Sequence, residues 1–161
     1  ADPPPDNDHS RANAPLPTVE AGLKQLLATP GVTAEKLVLG LPWYGYIYYT
    51  LDGHVVDNDQ IGYGEIEPML SNASWEQQWD AASQTPVLVE KNAAGAQGQE
   101  GAGSQKPLLG REIWYDNPRS LQLKVAMAKA LGIRRFGCWT ADALDYNGRP
   151  EAAKAMWDAM Q

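Results

Sequence analysis

The amino-acid sequence predicts an α/β fold from three observations. Two segments with helical spacing of apolar residues, near 18–27 and 118–131, each precede a short apolar run, and a further helical segment closes the sequence at 150–160. The apolar runs are typical of strands buried on both faces of a parallel sheet. Alternation of helices with such strands indicates right-handed βαβ units in an open sheet or a barrel.

The first unit is predicted from a helix followed by a strand. The helix is expected to begin with Thr18 as its N-cap and to stop before Pro30 and Gly31, with its apolar residues on one face. The strand is expected within 36–46, where apolar residues are nearly continuous.

The second unit repeats this order. Asp116 and Asn117 precede Pro118, which favours a capped helix with proline in its first turn, and Asp116 is interpreted as the cap. Gly132 ends that helix, the strand follows at 133–139, and a closing helix is expected at 150–160.

The stretch 50–113 between the two strands is predicted to be an inserted α+β subdomain. Short helices are expected near 66–70 and 74–82, and strands at 86–90 and 112–115. Trp75 and Trp79 lie four residues apart and are expected to pack in its core. Its segment 92–106 is rich in Gly, Ala, Gln and Ser and is expected to be a mobile loop. The predicted organisation is therefore an arm at 1–17, a helix and strand at 18–49, the insertion, and a second helix, strand and closing helix at 114–161.

Charge and composition limit the classes of partner. A net charge of −7 without runs of Lys or Arg argues against nucleic acid or an anionic membrane, and no stretch is long and apolar enough to span a bilayer. Cys138 is the single cysteine and is expected to be buried, and no metal or cofactor site is indicated. Asn72-Ala73-Ser74 is an N-glycosylation sequon, which favours a lysosomal or extracellular location.

Four segments carry a resemblance to a known family. They are 12–15 (Ala-Asn-Ala-Pro), 36–46 (ending Pro-Trp-Tyr-Gly-Tyr), 114–118 (Trp-Tyr-Asp-Asn-Pro) and 137–146 (Gly-Cys-Trp to Leu-Asp-Tyr). In this order and spacing they resemble the family-18 glycoside hydrolases. The resemblance implies the C-terminal portion of a TIM (β/α)8 barrel, with barrel strands seven and eight present and the insertion after strand seven.

The resemblance also implies a reaction. Family-18 enzymes cleave β-linked N-acetylglucosamine with retention, using a glutamic acid as proton donor and the substrate's own acetamide as nucleophile. Their Asp-x-x-Asp-x-Asp-x-Glu motif does not occur in this sequence, so no catalytic residue is assigned. The chain alone is expected to be inactive.

The sugar-binding half of such a site is nevertheless expected here. Trp139 ends a strand at the carboxyl end, where barrel active sites are built, although a core tryptophan is the alternative. Tyr44 and Tyr46 are expected beside it, because alternate residues of a strand share a face, whereas Trp43 points the other way into the packing. The expected ligand is an N-acetylglucosamine oligosaccharide.

Two functions remain open at this point. The first is a family-18 glycosidase whose catalytic glutamate lies outside this chain, and the second is a catalytically silent glycan-binding or structural module. In both cases two barrel strands leave unpaired sheet edges, so the rest of the barrel is expected as a partner, in the same chain or a separate one.

Overall fold

The computed structural model describes residues 9–91 and 109–161. The predicted mobile loop at 92–106 and the first eight residues of the predicted arm lie outside this part of the chain. The described helices and strands, in chain order, are α1 Leu16–Leu27, β1 Leu39–Pro42, β2 Tyr44–Leu51, β3 His54–Gly62, α2 Tyr63–Ile66, β4 Trp75–Asp80, β5 Thr85–Glu90, β6 Leu109–Trp114, α3 Pro118–Ala130, β7 Phe136–Trp139 and α4 Pro150–Asp158. No helix in the two described ranges is both long enough and apolar enough to cross a membrane.

Strands β1 and β7 form a two-stranded parallel sheet. Leu39 pairs with Phe136 and Pro42 with Trp139. Helix α1 precedes β1, α3 precedes β7 and α4 follows it, so the predicted order of helices and parallel strands is confirmed for these elements. One face of this sheet packs into the core, whose buried members include Leu23, Leu39, Leu41, Leu121, Val125, Ile133 and Met156.

The other five strands form an antiparallel sheet in the order β3-β2-β6-β5-β4. Its inner face contributes Ile47, Ile61, Leu88 and Ile113 to the same core. Buried Gly45 marks the close approach of β2 and β6, because a Cβ atom there would lie 2.3 Å from the carbonyl oxygen of Trp114. Any other residue at position 45 would force β2 and β6 apart.

The apolar run 36–46 is two strands and not one. The chain leaves the parallel sheet at Trp43, which is fully buried. Its backbone N–H donates to the carbonyl of Trp139 at 2.7 Å, and its carbonyl accepts from the N–H of Tyr63 at 3.0 Å. A run of apolar residues does not reveal such a change of partner, because both strands are equally apolar.

The predicted helix at 74–82 is wrong, since β4 occupies this region and pairs with β5. Residues four apart share a face in a strand as well as in a helix, so the spacing of Trp75 and Trp79 does not distinguish the two. The predicted short helix near 66–70 is confirmed by α2 and the 3-10 helix Glu67–Ser71. Trp75 is buried, as expected for a core residue, whereas Trp79 is half-buried and lies outside the core cluster, contrary to expectation.

Two helix starts also differ from expectation. Pro15 and not Thr18 occupies the N-cap of α1, because Pro17 is tolerated in the first turn and lets the helix begin earlier. Asn117 and not Asp116 caps α3, and its side chain accepts from the backbone N–H of Ser120 at 3.0 Å. The Asp116 side chain instead contacts Lys124 and Ser120.

Candidate functional site

Trp139 lies at the carboxyl end of the parallel sheet with its side chain 69% exposed. In this chain the alternative of a core tryptophan does not hold. The hydrogen bond from the Trp43 N–H to the Trp139 carbonyl ties this end of β7 to the point where β2 begins. The peptide bond between Trp139 and Thr140 is cis.

Three tyrosines line one face of β2, directly after Trp43. The rings of Tyr44 and Tyr46 have centroids 5.9 Å apart, and those of Tyr46 and Tyr48 are 6.3 Å apart. All three side chains are half-buried, whereas Gly45 and Ile47 face the core between them. We call Tyr44, Tyr46 and Tyr48 the tyrosine row.

Strand β6 lies beside β2 and extends this aromatic surface across the sheet. Trp114 pairs with Tyr46, and Glu112 pairs with Tyr48, so all four side chains lie on the same face. The indole N–H of Trp114 donates to a carboxylate oxygen of Glu112 at 3.2 Å, and the Ser10 hydroxyl donates to the same oxygen. The carboxylate is thereby fixed in position next to the tyrosine row.

A cavity of about 540 Å³ opens at the far end of the tyrosine row, between the segment 9–13 and the β2–β3 hairpin. Tyr46 and Tyr48 form one wall of this cavity. The Tyr48 hydroxyl donates to the backbone carbonyl of Arg11 at 3.3 Å, which holds segment 9–13 against the sheet. Burial raises the pKa of Tyr48, and neighbouring Arg11 partly opposes that rise. Its phenol is therefore protonated at neutral pH, and its single proton is donated to the Arg11 carbonyl.

Tyr48, Glu112, Trp114 and Asn13 were not singled out in the sequence. For Tyr48 a signal exists, because tyrosine recurs at every second position from 44 to 48, as expected for one face of a strand. The other three come from segments far apart in sequence, and only the pairing of β2 with β6 brings two of them beside the row.

The remaining residues of interest lie elsewhere in the fold. Trp75 and Trp79 each lie beside an arginine, Arg111 at 5.3 Å and Arg119 at 3.9 Å from the ring centroid. Cys138 is half-buried on the core face of β7. Within residues 9–91 and 109–161, no three His, Cys, Asp or Glu side chains are grouped as metal ligands would be.

Asn72 is exposed in the turn between a 3-10 helix and β4. Its side-chain oxygen accepts a hydrogen bond from the backbone N–H of Ser74 at 2.9 Å, the third residue of the sequon. The Asn72 side chain is thus accessible on the surface.

Comparison with known proteins relates this architecture to one family. The family model "Glycosyl hydrolases family 18" matches residues 4–143. Di-N-acetylchitobiase of Rattus norvegicus is 30% identical over 171 residues, covering 93% of this chain and 43% of that protein. Di-N-acetylchitobiase of Homo sapiens is 28% identical, covering 93% of this chain and 41% of that protein. The chain thus spans about two fifths of the length of these curated relatives.

Solved structures agree with this relationship at the level of the fold. A chitinase from Chromobacterium violaceum superposes with a TM-score of 0.67 at 18% identity, covering 99% of this chain and 42% of that one. A class V chitinase from Nicotiana tobaccum in complex with NAG4 gives 0.63 at 17% identity, covering 96% and 44%. The predicted resemblance to family 18 is confirmed, and the curated relatives named above are di-N-acetylchitobiases. The chain belongs to family 18 of the glycosyl hydrolases.

Proposed function

We propose that this chain is the sugar-binding C-terminal part of a family-18 glycosidase that acts on β-1,4-linked N-acetylglucosamine. In this proposal β1 and β7 are barrel strands seven and eight, and the five-stranded sheet is the insertion after strand seven. The proton-donating glutamate is supplied by residues outside this chain, and the substrate's acetamide acts as the nucleophile. The rest of the barrel is the partner that covers the open side of β1 and β7.

One observation carries the proposal, namely the exposed Trp139 at the carboxyl end of β7 next to the tyrosine row. A sugar ring has apolar C–H faces and polar edges, so a flat aromatic side chain buries one face while nearby hydroxyl groups bind the edge. Tyr44 and Tyr46 are the nearest such groups along β2. Trp139 is therefore assigned to the sugar at the cleavage point, and the two tyrosines to its surroundings.

Replacing Trp139 tests this assignment in the full-length protein that carries the chain. We expect Trp139→Ala to weaken binding of di-N-acetylchitobiose about ten- to a hundred-fold, because it removes an aromatic contact of about 1.5–3 kcal/mol. Trp139→Phe retains an aromatic ring, and its affinity is expected to lie between those of wild type and Trp139→Ala. Titration calorimetry gives the affinities, and Trp79→Ala on β4, the edge strand three strands away from the tyrosine row, serves as the tryptophan control. Equal affinity in wild type and Trp139→Ala would contradict the assignment.

The same protein distinguishes an enzyme from a catalytically silent glycan-binding module. Release of N-acetylglucosamine from di-N-acetylchitobiose excludes the silent module. Tight sugar binding without any turnover excludes the glycosidase. We favour the glycosidase, because the curated relatives with the alignments described above carry the names of chitobiases.

We extend the proposal to a glycoprotein of the secretory route, lysosomal or extracellular, with Asn72 as the acceptor. Its exposure and its hydrogen bond to Ser74 support this assignment. The full-length protein from a eukaryotic host is expected to lose mass on treatment with a peptide N-glycosidase, and Asn72→Gln is expected to reduce that loss by the mass of one glycan. An unglycosylated Asn72 peptide in the mass spectrum of secreted protein would refute it.

A further inference from the structure

The loop that follows Trp139 is braced from within. We call residues 140–149 the Trp139 loop. The Tyr146 hydroxyl donates to the backbone carbonyl of Ala141 at 2.8 Å, and Leu144 is buried in the core. Because the Trp139 side chain is largely exposed, packing around the indole does not fix its direction in this chain. The direction of the indole therefore depends on where the backbone of this loop is held.

Gly64 brings the insertion into direct backbone contact with the Trp139 loop. It lies in α2, and a Cβ atom at this position would stand 2.7 Å from the backbone nitrogen of Asp145 and 3.2 Å from the carbonyl oxygen of Ala143. Both are backbone atoms, so no rotation of a side chain relieves the contact. Glycine is otherwise unfavourable in a helix, and Gly64 does not have the positive φ that would favour it. The close approach is therefore what requires glycine here.

An ion pair joins the same part of the insertion to the far end of the loop. A guanidinium nitrogen of Arg149 lies 2.5 Å from a carboxylate oxygen of Glu67, which directly follows α2. That carboxylate oxygen is buried, whereas the Arg149 side chain is 40% exposed. An ion pair with an exposed partner adds little to stability. Its main effect is to fix the far end of the loop relative to α2.

Segment 62–67 of the insertion is also connected to the backbone of Trp139 itself. The Tyr63 N–H donates to the Trp43 carbonyl at 3.0 Å, and the Trp43 N–H donates to the Trp139 carbonyl at 2.7 Å. One short segment thus reaches Trp139 through Trp43 and the loop after it through Gly64. A shift of this segment would move the backbone of Trp139 and, with it, the indole.

We propose that Gly64 and the Arg149–Glu67 pair are positioning residues, which set the place of the Trp139 indole against the sugar at the cleavage point. The inference rests on the proposed function, which assigns that sugar to Trp139. None of the three residues touches the sugar in this proposal, because they act through the Trp139 loop. The insertion then controls the sugar contact made by the barrel, in addition to carrying the tyrosine row.

The test is a double-mutant cycle between Gly64 and Trp139 in the full-length protein that carries this chain. Gly64→Ala is expected to lower kcat/KM for di-N-acetylchitobiose, or the affinity where no turnover occurs, about tenfold or more, because a misplacement of about 1 Å can cost up to about a hundredfold. In a Trp139→Ala background the same change is expected to cost less than about twofold, since the side chain through which Gly64 acts is gone. Gly22→Ala in helix α1, where a Cβ atom meets nothing within 4 Å, is the matched control and is expected to leave both values unchanged.

Glu67→Gln gives a second comparison that leaves the backbone contact at Gly64 unaltered. It removes the charge that attracts Arg149 while keeping the size of the side chain. The same quantity is expected to fall about threefold with Trp139 present, as for a partly exposed ion pair, and to stay unchanged in the Trp139→Ala background. Glu76→Gln, an exposed carboxylate on edge strand β4, is its matched control.

The outcomes separate this inference from the proposed function. A folded variant that keeps the wild-type value removes its residue from the proposal, and the proposal is overturned if both do so. An equal loss with and without the Trp139 indole overturns it as well, because the damage is then general. If Gly64→Ala is unfolded by circular dichroism, the Glu67→Gln cycle decides by the same criterion. If Trp139→Ala alone has no effect on the sugar, the proposed function fails at Trp139 and this inference fails with it.

Discussion

At the scale of single residues, the Asp116–Lys124 pair is the most demanding feature of the interior. Lys124 is fully buried and Asp116 is 1% exposed, and the lysine ammonium contacts the carboxylate, which also accepts from the Ser120 hydroxyl. Burial raises the pKa of Asp116 and lowers the pKa of Lys124, while the contact between them opposes both shifts. Each group is tolerated in the core because the other is present.

Removing one partner should therefore be much worse than removing both. We expect Lys124→Met to destabilise the full-length protein by about 3–5 kcal/mol, because it leaves a carboxyl group buried without its cation. The double variant Asp116→Leu with Lys124→Met is expected to recover most of that loss. Urea unfolding measures the free energy of unfolding of the single and the double variant.

The pH dependence of Lys124→Met gives a second readout. Without the lysine, only burial and the remaining hydrogen bonds act on Asp116, so its folded-state pKa rises further above the unfolded value. The unfolded state then binds fewer protons between those two values, so stability falls as pH rises through them. Acidification from pH 7 to 5 is expected to restore part of the lost stability. A variant as stable as wild type at pH 7 would contradict this account.

The placement of some single residues could be predicted from the sequence. The alternation of Tyr44 and Tyr46 predicted a shared face, and the end of an apolar run predicted that Trp139 lies at a strand terminus. The choice of cap between Asp116 and Asn117 could not be made, because both side chains cap helices well. Only the partner of Asp116, which is eight residues away in a later turn of α3, decides between them.

At the scale of elements, the helices and the parallel strands were predictable because each has a periodic pattern and a clear stop. The strands of the insertion were harder to predict. Strand β3 contains Asp57, Asn58 and Asp59, residue types that are depleted in strands, and was not predicted. It forms because its partner β2 supplies the pairing and because it is an edge strand, where polar residues are accepted and discourage pairing with other chains.

No sequence pattern indicated the division between β1 and β2 either. Its cause is tertiary, since the N–H of Trp43 bonds to the Trp139 carbonyl from the other end of the chain. Strand β4 illustrates the same limit, because its tryptophans fit helix and strand equally well until β5 is in place as a partner.

At the scale of the whole molecule, two exposed valines allow a test of barrel completion. Val38 next to β1 is 60% exposed and Val56 on the β2–β3 hairpin is 58% exposed. If further barrel strands cover β1 as proposed, Val38 becomes buried in the full-length protein while Val56 stays near the surface.

Val38→Asp is accordingly expected to destabilise the full-length protein by about 3 kcal/mol or more, because it buries an unpaired charge. Val56→Asp, with the same change at similar exposure in this chain, is expected to cost less than about 0.5 kcal/mol. Chemical unfolding of the two variants provides the comparison. Equal stability of the two would argue against a barrel closed over β1.

The five-stranded sheet is entered along β2 and left along β6, and Tyr46 of one strand pairs with Trp114 of the other. Paired residues on neighbouring antiparallel strands lie only about 5 Å apart, a gap that a hairpin loop of roughly two to five residues closes. The sheet is therefore entered and left at nearly one point, so its loops can be lengthened or shortened while its core face, with Ile47, Leu88 and Ile113, keeps its packing. The reach of the proposed sugar-binding surface can thereby vary in those loops without a change in the core that supports it.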